Sequence, residues 1–222
     1  MSPTEKPRKR VGNPPSKLQK SSRKWMYIAL ILIVVAIAAV AFVILLNSSS
    51  NTQNNNGSTT GNPIAVFNTS LGTFKVELFK DKMPITVDNF VKLVNDNFYD
   101  GLIFHRIKDD FMIQAGRETP AGVTRSSPYG TIQFESNNEV LHVDGAISMA
   151  STGAKVGGSS EFFICDGAQH GLDGDYAAFG VVIEGMNAVQ KIAAAENDGS
   201  LEPNPGGGKP LTDIIINSIT IE

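Results

Sequence analysis

The hydrophobic pattern divides the 222-residue chain into an apolar run, a polar stretch and a longer region of short mixed segments. The apolar run extends from Trp25 to Leu46 and contains no charged residue, glycine or proline. At about 1.5 Å per residue, a helix of this length spans about 33 Å, and the hydrocarbon core of a bilayer is about 30 Å thick. The run therefore predicts a single transmembrane helix over residues 25–46.

The polar stretch, residues 47–62, consists only of Asn, Ser, Thr, Gln and Gly. Such a segment buries too little apolar surface to offset the entropy lost on ordering, so a flexible linker is predicted. The remaining residues, 63–222, have the usual length of one folded domain.

The predicted domain begins with a hairpin. Phe74, Val76 and Leu78 alternate with the charged Lys75 and Glu77, which predicts a strand with one wet face, paired with a strand before it. These two strands are predicted at residues 64–67 and 73–79. Further strands are predicted near residues 132–134, 145–150, 161–167 and 177–185, and a final one at the C-terminus.

Two segments instead repeat apolar residues at helical spacing. The first begins near Pro84, and its positions i, i+3, i+4 and i+7 are Val87, Phe90, Val91 and Val94. A second helix is predicted over residues 186–195. Many short strands with only two helices indicate an antiparallel barrel or sandwich, and a closed barrel leaves no free strand edge, which favours a monomeric domain.

Charge is distributed unevenly along the chain. The formal net charge is −3; residues 1–24 carry +7, which leaves −10 for the rest. An acidic domain is a poor candidate for binding nucleic acid. The basic segment directly precedes the apolar run, so the positive-inside rule places the N-terminus in the cytoplasm and residues 63–222 outside. The apolar run is also longer than that of a signal peptide, so an uncleaved anchor is predicted.

Cysteine and histidine usage excludes several kinds of site. The single cysteine, Cys165, excludes an intrachain disulfide and a cysteine-based zinc site, and its apolar neighbours predict a buried, inert thiol. His105, His142 and His170 show no metal-ligand spacing with carboxylates. We therefore predict no metal.

Two short motifs resemble catalytic loops but do not match them. GGGKP, residues 206–210, lacks the first glycine of a phosphate loop, since Pro203 stands there, and Pro210 replaces its Ser or Thr. GGSSE, residues 157–161, offers serines without the glycine spacing of a nucleophile elbow, and no histidine is placed to act as their base.

Between residues 99 and 174 the chain contains, in order, YDG, FHR, FMIQAG, SMA, FFI and GLDG. As a set these motifs closely resemble the cyclophilin family of peptidyl-prolyl cis-trans isomerases, and the resemblance extends over nearly all of residues 63–222. It implies a mainly β fold, with a closed eight-stranded antiparallel barrel capped by two α-helices and a proline site on the outer face of the barrel. It also implies a reaction that needs no cofactor.

The resemblance implies that Arg106 is the catalytic residue. The residues that it implies for substrate binding are Phe111, Met112, Gln114, Ala150, Ser151, Glu161, Phe163, Leu172 and Tyr176. Rotation about an X–Pro bond breaks no covalent bond, so no nucleophile, metal or cofactor is required. An arginine, always protonated and rigidly forked, can hydrogen-bond the substrate carbonyl and stabilise the lone pair that develops on the proline nitrogen.

Three positions depart from the family pattern. Glu161 stands where the family usually has glutamine, Gly171 where many members have a tryptophan that contacts cyclosporin, and Tyr176 where many have a histidine. A carboxylate near Arg106 either orders the arginine or competes with the substrate for its donors. The residues alone also leave open a structural ion pair of Arg106 with Glu161 or Asp109.

These observations predict a membrane-anchored isomerase that accelerates X–Pro rotation in exported polypeptides and assists their folding outside the cytoplasmic membrane. Its partners are proline-containing polypeptides and, through residues 25–46, the membrane. The alternative is a catalytically weak module on the same fold that binds proline peptides.

Overall fold

The computed structural model describes residues 61–200 and 206–222. The segments predicted at residues 1–24 and 25–46, and the linker up to residue 60, lie outside the described residues. Among the residues described, no helix is both long enough and apolar enough to cross a membrane.

The described residues form one nine-stranded antiparallel sheet. The strands are β1 (Ile64–Thr69), β2 (Gly72–Leu78), β3 (Arg106–Lys108), β4 (Met112–Ala115), β5 (Ala146–Met149), β6 (Phe162–Cys165), β7 (Ala177–Glu184), β8 (Gly207–Gly208) and β9 (Ile216–Ile221). Their order across the sheet is β8-β3-β4-β6-β5-β7-β2-β1-β9, and the sheet curls strongly into a half-barrel.

This sheet differs from the predicted closed barrel of eight strands. The strands at its two ends, β8 and β9, do not pair with each other. The segment before β3 contacts the start of β9 instead, through the isolated bridge between Ile103 and Ile215 and a few backbone hydrogen bonds, such as the one from the amide of Ile216 to the carbonyl of Leu102 at 2.8 Å. β8 contains two residues, Gly207 and Gly208, and Pro210 follows closely. Glycine weakens a strand and proline lacks the N–H that a ladder needs, so β8 is too short to close the sheet.

The predicted hairpin of β1 and β2 is confirmed. Its turn is fixed by the hydroxyl of Thr69, which donates to the carbonyl of Gly72 at 2.7 Å and accepts from the amide of Leu71 at 3.2 Å. The alternation in β2 buries Phe74 and Val76. Strand β2 therefore has one buried face and one partly exposed face, as predicted from the sequence.

Two α-helices accompany the sheet, as predicted: α1 (Pro84–Asn95) and α2 (Met186–Ala193). Residues 132–134 do not form the predicted strand. They lie in a loop in which the amide of Ile132 donates to the carbonyl of Gly158, and Glu135 beyond them binds the start of α1. This loop is held by isolated contacts rather than by a ladder.

The main core lies on one face of the sheet, around Phe162 of β6. The ring of Phe162 lies 5.7 Å from Phe67, 5.7 Å from Phe90 and 5.4 Å from Tyr99, measured between centroids. Because successive strand residues point to opposite faces, the next residue, Phe163, points away from this core. The outer face at β6 is therefore apolar as well.

Candidate active site

A second, smaller apolar cluster covers the outer face of β4, β5 and β6. Its buried members are Met112, Ala146, Phe163 and Cys165, and its partly exposed members are Phe111, Ala150, Leu172 and Tyr176. Burial raises the pKa of Cys165 to about 12, so its thiol is protonated at neutral pH, in agreement with the inert thiol predicted from the sequence.

A cavity of about 280 Å³ opens on this outer face. It is lined by Arg106, Phe111, Met112, Gln114, Ala150, Ser151, Phe163, Leu172 and Tyr176. Nine of the ten residues proposed from the sequence thus meet at one place, although they come from separate strands and loops. The tenth, Glu161, does not line the cavity, but its carboxylate accepts a hydrogen bond from Gln114, which does.

The cavity has an aromatic floor. Phe163 is 6% exposed, its ring stacks on His142 at 5.9 Å, and the ring of Tyr176 meets it edge-on at 6.0 Å. Next to Leu172, a Cβ added at Gly171 would meet no atom within 4 Å, so this side of the cavity is open. An apolar pocket with an open side suits a proline ring within an extended peptide.

Arg106 supplies the positive charge of the cavity. It lies on β3 directly opposite Gln114 on β4, and its Nη1 donates to Oε1 of Gln114 at 2.8 Å. Partial burial lowers the pKa of Arg106, an effect that Tyr176 opposes, and an arginine stays protonated at neutral pH. Within the described part of the chain, no carboxylate lies within ion-pairing distance of this guanidinium, so the ion pairs with Glu161 or Asp109 are not formed.

Glu161 reaches Arg106 only through Gln114. Nε2 of Gln114 donates to Oε2 of Glu161 at 3.0 Å, and the other carboxylate oxygen lies 3.5 Å from Nη1 of Arg117. Nε2 of His105 lies 3.6 Å from Oε2. The carboxylate therefore does not compete directly with a substrate for the donors of Arg106.

Sequence reasoning missed a hydrogen-bond network beneath the floor of the cavity, in which His142 and Ser148 are buried. Nδ1 of His142 lies 2.9 Å from Oδ1 of Asp173, and its Nε2 lies 3.0 Å from Oγ of Ser148. The other oxygen of Asp173 lies 2.9 Å from Nδ1 of His170. These contacts follow the order of a hydrolase triad, but Ser148 is 0% exposed and cannot meet a substrate. The network instead holds the His142 ring against Phe163.

The amino-acid sequence contains only weak indications of this network. His142 stands six residues before Ser148, and Asp173 belongs to the GLDG motif. Burial lowers the pKa of His142, although Asp173 opposes this effect. A neutral imidazole with a partner at each nitrogen is well suited to a structural role.

One group of carboxylates among the described residues is close enough together to hold a cation. It consists of Asp109, Asp110 and Asp166, and Oδ2 of Asp166 already accepts a hydrogen bond from the amide of Asp110 at 3.0 Å. None of the three lines the cavity, so this group does not contribute to its chemistry.

A second cavity, of about 270 Å³, lies on the other side of Glu161. Its lining is polar and consists of Arg117, Thr124, Arg125, Ser126, Ser127, Gly130, Thr131, Ser159, Ser160 and Glu161. Arg125 is held by the carbonyls of Phe98 and Asp100.

Comparison with known proteins gives one consistent answer. Residues 64–221 match the family model described as cyclophilin type peptidyl-prolyl cis-trans isomerase/CLD. The chain is 36% identical over 156 residues to human peptidyl-prolyl cis-trans isomerase-like 3, which covers 69% of this chain and 92% of that protein. It is also 36% identical over 143 residues to peptidyl-prolyl cis-trans isomerase CYP18-2 of Arabidopsis thaliana, covering 64% and 87% of the two chains.

Solved structures show the same likeness. A crystal structure of a cyclophilin type peptidyl-prolyl cis-trans isomerase from Cryptosporidium parvum has a TM-score of 0.64 and 30% identity, and the match covers 72% of this chain and 97% of that one. A structure of that protein in the presence of the dipeptide Ala-Pro has a TM-score of 0.63, with 72% and 98% covered.

Proposed function

Because the chain belongs to the cyclophilin-type peptidyl-prolyl cis-trans isomerase family, we propose that its X–Pro isomerisation takes place in the cavity around Arg106. One observation carries this assignment: nine residues proposed from separate motifs line a single cavity with an aromatic floor and a partly buried arginine. The related structure determined in the presence of Ala-Pro supports a proline-containing peptide as the ligand.

The cavity supplies two things that the reaction needs. The barrier to rotation about a peptide bond is about 18–20 kcal/mol, and at its top the amide has lost its resonance. Phe111, Met112 and Phe163 provide an apolar surface that holds the proline ring while the bond twists. The guanidinium of Arg106 has five N–H donors, so one bond to Gln114 leaves others for the substrate carbonyl and the proline nitrogen.

Catalysis follows if these donors bind the twisted state more strongly than the planar ones. An acceleration of about 10⁵-fold needs roughly 7 kcal/mol of such preference. Charge-assisted hydrogen bonds in a partly dehydrated site are the strongest that a protein offers for this purpose.

The alternative function is a module that binds proline peptides but turns them over poorly. The reason for considering this alternative was that Glu161 could compete with the substrate for the donors of Arg106. The contact of Glu161 with Gln114 rather than with Arg106 removes that reason, so turnover is the better supported function.

We further propose that the domain acts on exported polypeptides outside the cytoplasmic membrane, held by residues 25–46 and the linker. This proposal rests on sequence: the uncharged apolar run, the basic segment before it and the polar stretch after it. A flexible tether of this kind lets the domain meet chains as they leave the membrane.

The test of the catalytic assignment compares the purified full-length protein with Arg106→Ala and Arg106→Lys, using X–Pro peptides and NMR exchange spectroscopy. We expect Arg106→Ala to lower kcat/KM at least about 100-fold while peptide affinity changes only a few-fold, because the arginine acts mainly on the twisted state. Arg106→Lys keeps the positive charge but lacks the forked guanidinium donors, so its kcat/KM should lie between those of the wild type and Arg106→Ala. Peptide binding without acceleration in all three proteins would establish the binding module.

A further inference from the structure

We propose that Glu161 is a positioning residue that fixes the side-chain amide of Gln114 and, through it, the guanidinium of Arg106. The inference rests on the proposed role of Arg106 in turnover. It assigns to Glu161 a task at the active site that requires no contact with the substrate.

The contacts form a continuous chain across three neighbouring strands. Arg106 on β3 donates to Gln114 on β4 at 2.8 Å, and Gln114 donates to Glu161, just before β6, at 3.0 Å. The strand ladder fixes the order, since Arg106 pairs with Gln114 and Gln114 with Phe163. The backbone of Glu161 is held as well, because its carbonyl accepts from the amide of Ala150 at 2.9 Å.

The hydrogen-bonding chemistry of Arg106 and Glu161 determines the orientation of the Gln114 amide between them. A guanidinium only donates hydrogen bonds, and an ionised carboxylate only accepts them. The amide of Gln114 therefore satisfies both neighbours in one orientation, with its oxygen toward Arg106 and its NH₂ toward Glu161. The reverse orientation places NH₂ against the guanidinium and oxygen against the carboxylate, which breaks both bonds.

The surroundings of Glu161 keep it suited to this task. Its side chain is 26% exposed, and Arg117 supplies the nearest positive charge at 3.5 Å. Burial and the nearby Arg117 lower the pKa of His105 to about 4, so this imidazole is neutral at neutral pH and leaves the carboxylate as the charged acceptor. Arg106, Glu118 and Lys209 are the other charged groups that influence His105.

Two consequences follow for the reaction. The bond from Gln114 holds the guanidinium at one side, so its remaining donors keep a fixed direction toward the cavity. One of the two N–H donors of Gln114 is used by Glu161, so the second keeps a fixed direction as well. Loss of Glu161 should therefore affect kcat more than peptide affinity, because it loosens a group that acts on the twisted state.

The first experiment compares Glu161→Ala with Glu118→Ala in the full-length protein. The control removes the same charge from a neighbouring position without contact to Gln114, at the expense of its partly buried ion pair with Lys209. We expect Glu161→Ala to shift the Gln114 side-chain NH₂ resonances and to lower kcat about tenfold, with peptide Kd changed less than about threefold. The control should leave the resonances and kcat as they are.

The second experiment is designed to reverse the orientation of the Gln114 amide between its two partners. Glu161→Lys puts a donor-only group at the outer end, which turns the Gln114 oxygen away from Arg106, so its kcat should fall below that of Glu161→Ala. Glu161→Gln can still accept from Gln114 and should keep most of the activity. Glu118→Lys is the matched charge control.

Several results would overturn the inference. Unchanged Gln114 resonances in both Glu161→Ala and Glu161→Lys would show that the carboxylate does not hold the amide. Equal losses of kcat in the Glu161 and Glu118 variants would show a general effect of charge. The resonances report on this inference without reference to turnover, whereas Arg106→Ala tests the proposed function, so the two can fail separately.

Discussion

The imidazole of His105 shows how strongly a single buried residue depends on its neighbours. Its side chain is 7% exposed, and among the described residues its Nδ1 has no hydrogen-bond partner. Desolvation is the main cause that lowers its pKa to about 4, and the positive charges of Arg117, Arg106 and Lys209 add to it, while Glu118 opposes it. The folded protein therefore holds this residue neutral where the unfolded chain would protonate it.

This difference predicts a loss of stability in acid. An unperturbed histidine has a pKa near 6.5, so between about pH 6.5 and pH 4 the unfolded chain binds a proton that folded His105 does not. The free energy of unfolding should then fall as the pH falls through this window, by about 3 kcal/mol in total from this residue. Urea unfolding at pH 7 and pH 4 measures the change.

The matched variant is His105→Phe, which keeps an aromatic ring and cannot take up a proton. Its loss of stability between the two pH values should be smaller than that of the wild type by about the same 3 kcal/mol. Identical losses in the two proteins would show that His105 does not titrate differently on folding.

At the same scale, sequence reasoning identified the cavity residues better than their contacts. The motifs predicted Arg106, Gln114 and Glu161 together, but the alternatives considered were a direct ion pair or direct competition. Whether the carboxylate of Glu161 contacts Arg106 or Gln114 depends on strand register, here the pairing of Arg106 with Gln114. Register between strands from distant parts of a chain is set by tertiary packing, which a local pattern does not contain.

At the scale of elements, the predictable strands are those with one wet face. β2 alternates buried and partly exposed residues and was predicted closely, whereas β5 and β6 are buried on both faces and show only a continuous apolar run. β3 has three residues and β8 has two, and neither is long enough to show a period. The helices were easier to predict, because their apolar spacing extends over several turns.

The start of α1 depends on a residue far along the chain. Glu135 accepts hydrogen bonds from the amide of Ile85 at 3.2 Å, and from the amide and hydroxyl of Thr86 at 2.9 and 2.8 Å. The residue before the helix, Met83, provides no side-chain cap. A carboxylate at this end satisfies free amides and interacts favourably with the helix dipole.

We therefore predict that Glu135→Ala destabilises the domain by about 1–2 kcal/mol, the usual cost of removing a helix cap. Glu139→Ala is the control, since that carboxylate pairs with Lys82 at the surface and binds no helix amide. Urea unfolding of both variants measures the difference. Equal stability of the two would contradict a capping role for Glu135.

At the scale of the whole molecule, the domain begins and ends at the same place. β1 pairs with β9, and the amide of Glu222 donates to the carbonyl of Ile64 at 2.9 Å. The side chain of Asn62 donates to Glu77 of β2 at 2.9 Å, so the residues just before β1 already belong to the folded unit. In the sheet, β1 lies between β2 and β9.

The proposed anchor leads to a prediction about location and orientation. In a cell with a single cytoplasmic membrane, the full-length protein should sediment with membranes, and a variant without residues 25–46 should not. Protease added to intact cells should digest the domain but not a cytoplasmic marker, because the basic segment keeps the N-terminus inside. Replacing the eight basic residues of segment 1–24 by glutamine should weaken this preference and protect part of the protein. Full protection of the unaltered protein in intact cells, with digestion after lysis, would contradict a domain that acts on exported chains.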